Sequence, residues 1–132
     1  MVLGFGDKGV VVRDAHFPGQ APIDSYGNGG FRFADMSHRG SLLLLPSGIY
    51  GWDLKEGDAF TPEAFSRLLH EKGVEFLLVG TGQQIRLLPA EVRAALKAHG
   101  MSVDQMSTGA AVRTYNIMLA EQRPVAAALI AV

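Results

Sequence analysis

Residues 41–45 read Ser-Leu-Leu-Leu-Leu, an apolar run bounded by Gly40 and Pro46. It is too short for a helix and suits a strand covered on both faces. "VEFLLV" at 74–79 predicts a central strand of the same kind, and "PVAAALIAV" closes the chain as another, with small residues that let a helix pack close. Helical spacing fills the intervals. Thr61 is a good N-cap, Pro62 fits the first helical position, and Phe60 and Phe65 are spaced as a hydrophobic staple. Phe65, Leu68 and Leu69 would form that helix's buried stripe, and Gly73 would stop it. A second helix should start at Pro89, bury Val92, Ala95 and Leu96, and stop at Gly100. "MSVDQM" (101–106) predicts a short strand, and residues 109–121 a third helix with Ala111, Tyr115, Met118 and Leu119 inward.

The first part of the chain has a different texture, punctuated by glycine and proline. "VVVRD" (10–14) predicts a first strand. "PIDSYGNGGFRFADM" predicts two short strands around Gly27-Asn28-Gly29-Gly30, where Asn and Gly supply the positive φ of a tight hairpin. Phe31 and Phe33 would share one face, with Arg32 on the other. "SHRG" (37–40) reads as the next turn, and "IYGWD" (49–53) as a further short strand. The expectation is one α/β domain over residues 1–132, β-rich over 1–55 and alternating over 56–132. Its mostly parallel or mixed central sheet would be flanked by helices.

Composition narrows function more than fold. The chain has 132 residues, 48% hydrophobic and 19% charged, an ordinary globular balance for one domain. Twelve Lys and Arg against 13 Asp and Glu leave a formal charge of -1, with no basic run to attract nucleic acid or an anionic membrane. The absence of cysteine excludes disulfides, iron–sulfur ligation and thiol catalysis. No apolar stretch is long enough to span a bilayer, and Met1 to Asp7 do not read as a targeting signal, so a soluble cytoplasmic protein is expected.

Gly80-Thr81-Gly82, after a strand and before a helix, invites a phosphate-loop reading. A dinucleotide fingerprint would also need glycine at 85, which is Ile, and a P-loop would need a Gly-Lys-Ser/Thr ending. Residues 83–88 separate the glycines from Pro89, so their amides need not sit at that helix's N-terminus. A tight turn fits better. Three polar turns nevertheless follow strands, as ligand-binding turns do in open α/β sheets. Ser47, Gly80, Thr81, Gly82, Ser107 and Thr108 therefore form a candidate crevice, with Arg113 about one turn into the third helix and Asn116 beyond it. Ser107 or Thr108 would cap that helix.

Catalytic machinery is sparse. Ser47 lacks a nucleophile elbow and a His–Asp pair. His70 and His99 suit helix C-termini, His38 stands in a predicted turn, and His16 with Asp14 makes no complete metal site. No cofactor, metal or catalytic group is expected. Tyr50 and Trp52, alternating beside glycines, either cap the core or form a partner-binding surface.

"VGTG" at 79–82, with "TGAAVRTYNIMLAEQRPVAAALI" at 108–130, resembles the small-domain family of the mitochondrial complex I (NADH:ubiquinone oxidoreductase) assembly factor three and its uncharacterised bacterial relatives. The resemblance runs from about Ile23 through the last strand. Its marks are the Gly-Thr-Gly turn, Thr114-Tyr115-Asn116 after Ala111, and Glu121, Arg123 and Val125 before "AALI". It implies a three-layer α/β fold with a β-rich N-terminal addition and brings no established enzymatic activity. It also implies protein partners, complex I subunits or another assembly factor among them, and leaves homo-oligomerisation open. Tyr115-Asn116 would lie beneath the Gly-Thr-Gly turn and satisfy its backbone. The alternative is a small-molecule or anion-binding protein, or an enzyme, using the crevice.

Overall fold

A computed structural model of the chain describes residues 5–6, 9–10 and 17–132. The elements are β1 (Phe5–Gly6), β2 (Gly9–Val10), β3 (Phe17–Pro18), β4 (Ser25–Gly27), β5 (Gly30–Phe33), β6 (Met36–Arg39), β7 (Ser41–Leu45) and β8 (Gly48–Trp52), followed by a 3-10 turn (Pro62–Phe65) that runs into α1 (Ser66–His70). Then come β9 (Phe76–Gly80), α2 (Ala90–Ala98), β10 (Ser102–Met106), α3 (Thr108–Ala120) and β11 (Ala126–Leu129). The strand expected over 10–14 lies mostly outside the described residues, as do Asp14 and His16.

Six strands form the central sheet in the order β10-β9-β11-β7-β8-β3. The pairs β10–β9 and β9–β11 are parallel, whereas β11–β7, β7–β8 and β8–β3 are antiparallel. Of the two alternatives, the sheet is therefore mixed. From β9 the chain moves one way to β10 and then back past β9 to β11. A constant crossover hand then requires helices on opposite faces. Accordingly α2 packs with α1 on one face, and α3 packs on the other beside the three-stranded sheet β4-β5-β6. That makes three layers.

Strand alternation divides the core in two. Leu42 and Leu44 of β7, Leu78 of β9, and Ala127 and Leu129 of β11 face α3 and the small sheet. Leu43, Leu45, Leu77, Val79, Ala126 and Ala128 face α1 and α2. Phe31 and Phe33 enter the first cluster from β5 while Arg32 stays exposed.

The hairpin at Asn28-Gly29 has both residues at positive φ (53° and 79°), the twist a two-residue connection needs. The next turn is displaced from the expected place. "SHRG" lies mostly in β6, and the reversal is made by Ala34 and Asp35, at φ 50° and 62°. Neither is the glycine or asparagine that would have announced such a turn. Thr61 caps the 3-10 turn as expected, its Oγ1 accepting from the Ala64 N–H at 3.2 Å. α1 is shorter than expected, ending at His70, because Glu71 is already extended, so Gly73 shapes the following turn instead. α2 ends in a Schellman arrangement. The Gly100 N–H donates to Lys97 O and the Met101 N–H to Leu96 O, with Gly100 at φ 82°.

Candidate functional site

The turns after β9 and β10 meet where neighbouring parallel strands send their helices to opposite faces. Gly80 is closed against α3. A Cβ there would come within 2.9 Å of Thr108 Cα and 3.1 Å of Ala111 Cβ. Positive φ belongs to Gly82 (124°), not to Gly80.

The turn's polar groups are met from within the chain. Thr81 is fully buried. Its N–H donates to Met106 O at 2.9 Å, and its hydroxyl lies 3.1 Å from Met106 O and 3.2 Å from Gln84 O while accepting from the Arg86 N–H at 2.8 Å. Thr108, also fully buried, accepts from the Gly82 N–H at 3.1 Å and donates to Ile130 O at 2.7 Å. Its own N–H donates to Gly82 O, and the Ile130 N–H donates to Gly80 O. The Gln83 N–H donates to the Glu56 carboxylate at 2.7 Å. Two buried threonines thus tie three strand ends together. Amides that would cradle a phosphate bind a hydroxyl and an internal carboxylate instead.

Ser107 caps α3, its Oγ accepting from the Ala110 N–H at 3.3 Å. Arg113 is exposed on the outer surface of α3. Ser47 does not join these residues. Because β7 runs antiparallel to β11, its C-terminus lies at the opposite end of the strands from those of β9 and β10. There Ser47 donates from its hydroxyl to Glu71 Oε1 at 3.0 Å and from its N–H to Glu71 Oε2 at 3.1 Å. That leaves the Tyr50 hydroxyl, at 2.7 Å, as the donor to Ser47 Oγ.

Asn116 serves a different segment from the one expected. Its Oδ1 accepts from the Ile23 N–H and its Nδ2 donates to Ile23 O, both at 2.8 Å. The amide thereby replaces a neighbouring strand for one residue. Tyr115 donates to Ala21 O at 2.8 Å. Burial pushes the Tyr115 phenol well above its ordinary pKa. The pair pins residues 21–23 to α3 and does not lie beneath the Gly-Thr-Gly turn.

Trp52 caps the core. It is 9% exposed, donates from Nε1 to Ala64 O at 2.8 Å, and meets Phe65 edge-on at 5.4 Å between ring centroids. Tyr50 is half-buried under the Arg67 guanidinium, 3.9 Å from its ring centroid. Among the described residues the exposed large apolar side chains are Tyr26, Ile85, Leu87 and Ile117. The run Ile85-Arg86-Leu87-Leu88, apolar but outside any element, was the sequence signal for two of them. His70 and His99 direct Nδ1 at the carbonyls four residues back, whereas His38 is buried in β6 with Nε2 3.1 Å from Ser41 O. Among the described residues no group of His, Asp or Glu could hold a metal.

A family model described as "Protein of unknown function (DUF498/DUF598)" matches residues 23–130. The chain belongs to this family. A relative, an uncharacterized protein of Rhodobacter capsulatus, is 40% identical over 118 residues, covering 89% of this chain and 90% of that one. The mouse NADH dehydrogenase [ubiquinone] 1 alpha subcomplex assembly factor 3 is 32% identical over 122 residues. That match covers 92% of this chain but 66% of the mouse protein's length. Among solved structures, one described as an outer membrane protein from Bartonella henselae superposes with a TM-score of 0.83 at 59% identity, covering 88% of this chain and 98% of that one. The matched span takes in both threonines, Tyr115-Asn116 and the Ile23 backbone that Asn116 holds. No helix among the described residues is long and apolar enough to cross a membrane.

Proposed function

We propose that this chain is a non-catalytic, assembly-factor-like protein that works in the cytoplasm by binding other proteins, subunits of respiratory complex I or another assembly factor among them. The observation that carries the reading is the likeness to assembly factor 3 along nearly the whole chain. Supporting it, the polar groups of the Gly80–Gly82 turn already have partners within the chain, which counts against an anion or nucleotide there. With Trp52 engaged in the core, partner contacts fall to other surfaces.

The test is affinity capture of the tagged full-length chain from its own cells, with mass spectrometry of cytoplasmic and membrane fractions separately. Complex I subunits or an assembly factor should co-purify from the cytoplasmic fraction. Recovery of the chain alone would contradict the reading. Recovery only with outer membrane, in line with the Bartonella protein's description, would contradict the location.

A further inference from the structure

β10 forms one edge of the central sheet, and among the described residues its outer side is unpaired. Two bonds show which groups face β9. The Ser102 N–H donates to Glu75 O at 2.8 Å, and Met106 O accepts from the Thr81 N–H at 2.9 Å. In a parallel ladder each residue turns both backbone groups to the same side, and the side alternates along the strand. Ser102, Asp104 and Met106 therefore serve β9, while Val103 and Gln105 turn their N–H and C=O groups outward. Five residues is a sufficient template for another strand.

The flanks of this edge differ. Val103 and Gln105 share one face, and Gln105 Oε1 accepts from the Leu88 N–H at 3.0 Å. That bond brings Leu87, 76% exposed, beside the edge on the same face. On the other face Asp104 is exposed, without an ion-pair partner among the described residues. Pairing two copies antiparallel along the full strand would set Asp104 opposite Asp104, and like charges directly opposed are destabilising. The same carboxylate favours Lys or Arg at that position. A charge that merely guards an edge against aggregation leaves the exposed Leu87 without a use.

We infer that β10 is the docking edge for an extended segment of a partner protein with the pattern apolar–basic–apolar. The segment adds a strand through the outward groups of Val103 and Gln105. It sets its basic residue against Asp104 and an apolar residue against Val103 and Leu87. This rests on the protein-binding reading and names its surface.

The experiment compares capture by the full-length chain and by Val103→Pro, Asp104→Lys and, as a control, Arg113→Ala. Proline at 103 removes an outward N–H on an edge strand, a position where proline is tolerated. Val103→Pro should reduce the captured partner on the order of tenfold or more, Asp104→Lys should reduce it too, and Arg113→Ala should not. A photo-crosslinking residue, Ser102→benzoylphenylalanine, should attach to a partner segment carrying Lys or Arg between apolar residues. Should Val103→Pro fail to fold by circular dichroism, the exposed positions Asp104 and Ser102 carry the decision. A partner fully retained by folded Val103→Pro, or by Asp104→Lys, overturns the edge while leaving the protein-binding reading intact. A crosslink to a second copy of this chain overturns the heterologous occupant. Capture of nothing by the wild type overturns both.

Discussion

Thr108 shows how much one buried hydroxyl can hold. It accepts from the Gly82 N–H and donates to Ile130 O, joining the starts of two connections to the last strand. Thr108→Val keeps the shape but leaves a buried donor and a buried acceptor unpaired. It should cost about 1–3 kcal/mol in urea denaturation; an unchanged midpoint would mean that the hydroxyl is dispensable. Tyr115 gives a pH signature. Because its folded-state pKa is raised, it has no effect on stability while the phenol stays protonated in both states. Stability then falls as pH rises above the unfolded value of about 10, by about 1.4 kcal/mol per unit. Tyr115→Phe should remove that alkaline component of the slope, measured by denaturant unfolding between about pH 9 and 11. The oddity of Asn116 in mid-helix was legible in the sequence, as was its role in bonding to backbone. Its partner was not, because Ile23 lies 93 positions away and no local pattern encodes that contact.

At the scale of elements, two glycines that look alike in sequence do different jobs. Gly100 sits at φ 82° with nothing within 4 Å of an added Cβ, so Gly100→Ala should cost only the left-handed backbone penalty, about 1 kcal/mol. Gly80 has no such φ, but its Cβ would press on α3 backbone, so Gly80→Ala should cost about 1–3 kcal/mol through overpacking. Thermal melts of both variants check this ordering, and equal losses would contradict it. Helix caps, the Asn28-Gly29 hairpin and the all-leucine strand were readable because each depends on residues within a few positions. The Ala34-Asp35 turn was hidden because Ala34 does not advertise positive φ and Asp35 has no glycine or asparagine beside it. Ser47 was grouped with the crevice because strand direction is a property of the whole sheet. β7 looks like β9 in sequence and runs the other way beside β11. Trp52 illustrates the same limit, since alternation placed it on a face but could not show that Phe65 and Ala64 cover it.

At the scale of the molecule, two apolar clusters lie on either side of one sheet, and among the described residues β10 is an unpaired sheet edge. On the proposed function, which rests on the likeness to assembly factor 3, the chain acts through the proteins it binds. The most direct measurement is the amount of assembled complex I in the membranes of a clean deletion strain. It would be read on native gels from cells grown on media that demand respiration. An assembly role predicts less assembled complex, with soluble NADH-oxidising activity unchanged and the complex restored by returning the gene. Normal complex I in the deletion strain would contradict it.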